Sequence, residues 1–236
     1  MNFGVILEYV PVILKGTLAT VLLMCVVGTL APLLALPLAL AREYGPHWAR
    51  YPVNFFSWMM RAVPTLVLLY FAYFGLPALG VYLPATVSAL IALVISAMGY
   101  NIEFITAGLR SVHPQQFEAC RALGMPRTTM IRRIVLPQAM AVTFPPLFSN
   151  LTLNLKGTSL ASMVAVPELT GVISGLISET YRPIELLCCA GVIYLLLNSA
   201  ILWLQAQMER RVDVKWLAEQ SDLKPANLKT ADAAAK

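Results

Sequence analysis

Side chains able to do chemistry are few in this 236-residue chain, and they are unevenly placed. There are two histidines, His47 and His113, and four cysteines, Cys25, Cys120, Cys188 and Cys189. No two cysteines form a CxxC pair and three sit in apolar runs, so they read as small buried hydrophobes rather than disulfides or metal ligands. An intramembrane serine protease needs a Ser–His pair within an apolar segment, and a two-histidine metal site needs both imidazoles there. His47 and His113 both fall in polar connecting segments, so no catalytic residue and no metal site is predicted. What remains is a set of polar groups inside apolar stretches: Lys15, Arg61, Glu103 and Lys156, with the amides Asn150 and Asn154. Ionisable groups are costly in hydrocarbon, so each marks a polar pathway or a partner by default.

The elements that position these groups follow from composition. Hydrophobic residues make up 58% of the chain and charged ones 12%, where a soluble domain carries about 25% charged. So apolar a chain has too little polar surface to face water, which points to an integral membrane protein. Stretches of the length a bilayer helix needs, about 20 residues, occupy 10–40, 53–76, 84–109, 134–155 and 184–207. The prediction is an all-α protein with five transmembrane helices. Ala39-Leu40-Ala41 has the form of a signal-peptide cleavage site, but the apolar run over 17–41 is too long for a secretory leader, so it is expected to stay as a span. Residues 1–212 read as the membrane domain and 213–236 as a polar, disordered tail.

The net charge of +5 is not a nucleic-acid signal here. Most basic residues cluster at 42–52, at 110–133 and after 209, all on one side of a five-span chain. The positive-inside rule puts that side, with the C-terminus, in the cytoplasm and the N-terminus outside.

Within the spans, Arg61 lies about 12 Å and Glu103 about 9 Å from the same face at 1.5 Å per residue, so they are expected to pair or to line one pathway. Pro64 either breaks or kinks the second span, and a break is tolerated where backbone lines a cavity or finds other partners. Thr65 beside it is a pathway candidate. Asn150 and Asn154 share a helical face, suited to a polar solute or to interhelical hydrogen bonds. Lys15 fits snorkelling to the outer interface. Residues 158–183 read as a partly helical outer gate. Its Gly171-Val172-Ile173-Ser174-Gly175 run is a weak packing pattern, and Glu168, Glu179 and Arg182 are suited to water or to an outer partner.

The loop at 110–133 is the most informative stretch. Pro114 suits the first turn of a helix, and Gly124 with Pro126 ends it. Phe117, Cys120 and Leu123 make an apolar stripe. Such a helix cannot span; it rests on lipid or docks into a groove of a soluble partner.

Here the sequence resembles bacterial ABC importer permeases. Their loop reads Glu-Ala-Ala, three residues, Gly, nine residues, Ile, any residue, Leu-Pro. This chain has Glu118-Ala119-Cys120, Gly124 and Ile134-Val135-Leu136-Pro137 at those spacings, with Cys120 for the second alanine. The likeness runs over about 17–212 and includes Arg61-Ala62-Val63-Pro64-Thr65-Leu66, Tyr73-Phe74-Gly75-Leu76-Pro77, Tyr100 with Glu103, Phe144-Pro145-Pro146-Leu147, Thr158-Ser159-Leu160, Val166-Pro167-Glu168-Leu169 and Tyr181-Arg182-Pro183. These are similar to the polar amino acid branch (histidine, arginine, glutamine, glutamate). The resemblance implies a type I importer permease in a bacterial inner membrane. Glu118, Ala119, Cys120, Leu123, Gly124 and Pro126 would belong to a coupling helix that meets cytoplasmic ATPase subunits. It also implies a second permease subunit, identical or sister, and a periplasmic solute-binding protein. The chain has no Gly-x-x-x-x-Gly-Lys-Ser/Thr loop, so ATP and Mg would sit on the partner ATPase. The pathway residues so implied are Arg61, Pro64, Thr65, Glu103, Asn150, Asn154 and Gly157. Gly157 is a departure, because relatives often carry Asp there, and in arginine-type members a second acid or polar group falls where Asn150 is. Thr106 is another, where many relatives have Arg. A carboxylate-lined cation site is therefore not expected in this chain. A secondary transporter working alone would usually show an internal repeat, and none is visible.

Overall fold

The computed structural model describes residues 4–222, with side chains over 7–210. Among them there are helices and connections and no strand. Helix α1 spans Gly4–Tyr44 without interruption, so the signal-like 39–41 run lies inside a helix. After it come α2 (His47–Ala62), α3 (Thr65–Tyr70) and α4 (Leu76–Ala78), then α5 (Ala85–Ser111) and α6 (Pro114–Ala122). The chain ends through α7 (Arg127–Met130), α8 (Leu136–Thr158), α9 (Leu169–Thr180) and α10 (Pro183–Asp222). Four stretches are long and apolar enough to cross a bilayer: Leu7–Tyr44, Ala85–Ser111, Arg127–Val164 and Pro183–Arg210. A fifth is the pair His47–Ala62 and Thr65–Ala78, bent by 101°.

That bend settles what Pro64 does. Proline drives its predecessor out of the helical region, and Val63 sits at φ −81°, ψ 127°. Of the two readings, a break or a kink, the structure has the break: the span expected over 53–76 is two segments at an angle. Two π turns have a shared cause. Phe71–Gly75 and Ile131–Val135 each end at a Leu-Pro pair, Leu76-Pro77 and Leu136-Pro137. Proline lacks an N–H and crowds the carbonyl four residues back. The ladder absorbs this with a wider turn, the leucine N–H reaching back to the carbonyls of Phe71 and Ile131.

α1 packs along α5. Ala31, Ala35 and Ala39 recur every four residues and are fully buried, which lets two backbones approach closely where lipid offers no hydrophobic drive. Three buried clusters follow the bundle. One joins α1 (Leu23, Val27, Ala31) to α3 and α5. A second joins Ala35 and Ala39 to Val53, Ile105, Leu109, Cys120, Val135 and Ala139. The third, at the opposite end, holds Ile13, Leu169, Ile173, Leu176, Leu186 and Ala190.

Two expectations change here. Of the four cysteines, only Cys120 is buried; Cys25 and Cys188 are exposed on helix surfaces and Cys189 is half-buried, because an apolar face in a membrane protein can look outward. The boundary drawn at 212 falls within α10, which runs to Asp222; no glycine or proline lies between Gly191 and Pro225 to stop it. Residues 223–236 lie outside the described residues.

Candidate functional site: the coupling helix and the amide-lined cavity

α6 begins as its residues require. Pro114 takes the first turn, and the His113 Nδ1 accepts a hydrogen bond from the Gln115 N–H at 3.3 Å. Gly124 follows the helix in the left-handed region at φ +65°, a conformation that a side chain makes costly. Pro126 caps α7 from an extended backbone. The apolar stripe divides in an unexpected way. Cys120 is buried in the second cluster and Phe117 packs against it, 6.2 Å from the Tyr44 ring. Leu123 is instead 80% exposed. It lies just beyond the last helical residue, Ala122, where helical periodicity no longer places side chains. Phe117 and Cys120 therefore anchor α6 to the protein's own core. The face left open carries Glu118, Ala119, Arg121, Ala122 and Leu123.

Arg61 and Glu103 meet at 3.0 Å. Arg42 joins the same carboxylate oxygen at 2.9 Å, and the Ser57 hydroxyl donates to it at 2.8 Å. Ser57 also lies 2.9 Å from the Gly99 carbonyl. One acid thus ties α1, α2 and α5 together beside the 101° bend. α1 runs past the apolar stretch predicted over 10–40 to Tyr44 and so brings Arg42 alongside α5. Two basic residues flanking one acid at similar depth was the signal available in sequence. Just past Pro64, Thr65 pairs with Ser96 of α5 at 2.9 Å.

Asn150 is buried, and its Nδ2 donates to the Asn101 Oδ1 at 2.8 Å. Both amides and Asn154 line a cavity of about 280 Å³ between α1, α5 and α8, walled by Gly28, Pro32, Met140, Phe144, Leu147, Phe148 and Leu151. Among the described residues no charged side chain lines it. Gly157 is not among its walls, and a Cβ added there would meet nothing within 4 Å. Arg61, Pro64, Thr65 and Glu103 line other parts of the bundle. Asn101, an amide within an apolar span two residues before Glu103, is the cavity residue the sequence reading passed over. Lys15 and Lys156 are exposed.

Glu168, expected at a surface, is fully buried. Its Oε1 caps α9 by accepting from the Gly171 N–H at 2.8 Å, and its Oε2 accepts from the hydroxyls of Tyr194 at 3.1 Å and Thr20 at 3.2 Å. Burial pushes this carboxyl above its ordinary range, against the opposing pull of the Thr170 and Gly171 N–H groups and of the Tyr194 and Thr20 hydroxyls. The glycine pattern at 171–175 is not a helix–helix contact: Gly171 faces its own loop and Gly175 faces open space. Among the described residues no cluster of three or more His, Cys, Asp or Glu could hold a metal.

The model of the family described as binding-protein-dependent transport system inner membrane component matches residues 32–214. The octopine transport system permease protein of Rhizobium meliloti is 37% identical over 96% of this chain and 92% of its own length. The histidine/lysine/arginine/ornithine transport system permease protein of Salmonella typhimurium is 30% identical over 80% of this chain and 83% of its own. Among solved structures, an amino acid ABC transporter crystallised with histidines superposes with a TM-score of 0.83 at 29% identity, covering 89% of this chain and 99% of that one. The inward-facing methionine transporter MetNI gives a TM-score of 0.76 at 16% identity over 87% and 98%, a likeness of fold. Spans, coupling loop and relatives agree: the chain belongs to the binding-protein-dependent transport system inner membrane component family, and it is an ABC importer permease subunit with the type I fold.

Proposed function

We propose that this chain forms half of a pathway that imports an amino acid or a close derivative of one, driven by ATP hydrolysed on separate cytoplasmic subunits. The observation that carries the reading is α6, a helix with its back sealed into the core and its Glu118–Leu123 edge open. A helix built this way can be pushed by a partner without peeling away. The buried back of α6 shares one cluster with residues of α1, α2, α5 and α8, so a shift of α6 moves four helices together. ATP and Mg belong to the partner ATPase in this scheme. A second permease subunit, identical or sister, supplies the other half, and a periplasmic binding protein delivers the solute. The basic face carrying α6 is cytoplasmic and the N-terminus is outside, in a bacterial inner membrane.

The cavity at Asn101, Asn150 and Asn154 is the candidate solute site. Its amides can both donate and accept, and its apolar wall suits an aliphatic or aromatic portion. A cationic side chain would find no carboxylate there, which favours an uncharged group at this end of the solute. Names among the relatives, octopine and the basic amino acids, are consistent with an amino acid scaffold.

The test is co-expression with the ATPase and the binding protein. The Glu118→Lys variant is expected to lose co-purification with the ATPase, and binding-protein screening against the standard amino acids and octopine is expected to return an amino acid. Uptake that survives ATP depletion and follows an ion gradient would sink the reading.

A further inference from the structure

On the face opposite α6, the short helix α9 ends at Tyr181 in the left-handed region at φ 56°, and the turn that leads into it holds Ala165 at φ 60°. Neither is glycine, and such residues persist only where their surroundings fix them. What fixes α9 is concentrated at its first turn. Glu168 is an unusual N-cap: shorter side chains are preferred there, but a glutamate is long enough to cap and reach out at once. Its Oε1 satisfies the Gly171 N–H while Oε2 receives Thr20 of α1 and Tyr194 of α10. Thr20 also accepts from the Leu169 N–H at 3.0 Å, and Tyr194 pairs with Thr170 at 2.9 Å. One turn below Thr20, Gly16 lets the same turn press in: a Cβ there would lie 2.9 Å from Val172 Cγ2 and 3.2 Å from Leu169 Cα. Among the described residues no cation lies within ion-pair distance of Glu168. Its partners are hydroxyls and backbone N–H groups, which fits a carboxyl used for its two-ended shape rather than for a counterion.

We infer that Glu168 is a positioning residue for transport: its carboxyl is a clasp that fastens α9 to α1 and α10 at the outer end of the pathway, and transport depends on α9 being held by it. The inference rests on the import reading above, which supplies the cycle in which the outer end must close. Without the clasp, α9 keeps its apolar contacts through Leu169, Ile173 and Leu176 but loses the fixed first turn, and the outer end no longer seals in step with the motor.

The complete complex in proteoliposomes, with its ATPase subunits and binding protein, tests this through two readouts. Uptake is measured with a radiolabelled mixture of the standard amino acids and octopine, alongside ATP hydrolysis. Glu168→Ala is expected to lower uptake per ATP by at least about tenfold, the size of effect that follows loss of a single charge-assisted bond, while hydrolysis continues. Glu168→Gln keeps the length; its Oε1 can still accept from the Gly171 N–H, and its NH2 can donate to the Tyr194 and Thr20 hydroxyls once these rotate, so it is expected to stay within about twofold of wild type. If Glu168→Ala fails to assemble, the pair Thr20→Val with Tyr194→Phe removes both hydroxyls and leaves the Gly171 cap, and the same split is expected. Hydrogen exchange over 169–180, which needs no solute, should rise in Glu168→Ala and in the pair but not in Glu168→Gln. Failure of the import reading would thus leave the exchange result standing. Wild-type-like coupling in the alanine and paired variants overturns the clasp, as does a proportional fall of hydrolysis and uptake, or a glutamine variant as damaged as the alanine one.

Discussion

Gly108 offers a perturbation whose size can be worked from the packing. It sits in α5 where α8 crosses, and a Cβ there would lie 2.0 Å from Thr143 Oγ1 and 2.7 Å from the Ala139 carbonyl oxygen. The hydroxyl can rotate, although it would give up its 2.8 Å bond to that same carbonyl. The carbonyl belongs to a helix and cannot. Restoring it from 2.7 Å to an ordinary contact of 3.4 Å requires α5 and α8 to part by about 0.7 Å. Overpacking of this kind costs about 1–3 kcal/mol, or a melting temperature lower by roughly 2–12 °C at about 2–4 °C per kcal/mol for a chain of this size. The strain also reaches the cavity. Asn101 and Asn150 lie two helical turns from Gly108 and Thr143 respectively, about 10 Å along each axis, and their 2.8 Å bond spans the same interface. Gly108→Ala should therefore lower both the melting temperature in nanodiscs and uptake in the reconstituted complex. Adding Thr143→Ala removes the 2.0 Å clash but not the carbonyl one, so it should recover only part of the loss, measurable as a coupling in the double-mutant cycle. Gly175→Ala is the control, because a Cβ there meets nothing within 4 Å. Should Gly108→Ala melt and transport like that control, the close approach of α5 and α8 is not what shapes the cavity.

Further outcomes follow from the other sites. Glu103→Gln should cost about 2–3 kcal/mol in unfolding measurements, because a charged hydrogen bond is worth about 1.5–3 kcal/mol and the Arg61 arm must be discounted for its 39% exposure. By the same reasoning Arg42→Ala, with a side chain 15% exposed, should destabilise more than Arg61→Ala. Gly124→Ala meets no atom within 4 Å but must hold φ +65°, at a cost of about 1–2 kcal/mol; it should weaken pull-down of the ATPase while the rest of the chain melts normally. Glu168 should shape the pH dependence of stability. Its folded carboxyl is raised above the ordinary 4.5 by burial, so the folded state holds its proton more tightly. The contribution is full below 4.5 and is lost as pH rises through the folded value. The melting temperature of wild type relative to Glu168→Gln should fall over that window, and parallel curves would contradict the raised value.

Much of this was legible because it depends on local rules. Spans follow from apolar length, the α6 boundaries from Pro114 and Gly124, and the Arg61–Glu103 pair from similar depth counted from one face. What was not legible depends on which way a helix faces. The stripe of Phe117, Cys120 and Leu123 was correct in spacing but not in destination, since periodicity cannot say whether an apolar face meets a partner, lipid or the protein's own core. Cys25 and Cys188 were misplaced for the same reason: hydrophobicity implies burial only when the solvent is water. Glu168 was read as a surface acid because its partners are 148 residues upstream and 26 downstream, and a buried glutamate without a counterion leaves no charge pattern to find. Asn101 was overlooked beside the more conspicuous Glu103.

The arrangement of α8 explains how the two ends of the molecule can act together without a relay of side chains. Ala139, near its start, is buried in the cluster that holds Cys120 of α6. Asn150, on the same helix, lies about 16 Å further along at 1.5 Å per residue and bonds Asn101 at the cavity. Pro145 and Pro146 lie between the two, and neither has an N–H to give the ladder, so α8 links α6 to the amide pair through a helix with more than one place to bend. The π turn at Ile131–Val135 is another. It lies between the coupling helix and α8, its geometry is set by Pro137, and its hydrogen bonds are those of a wider and less regular turn. The Ile134-Val135-Leu136-Pro137 run thus has a structural consequence: it sets a wider turn in the chain between α6 and α8.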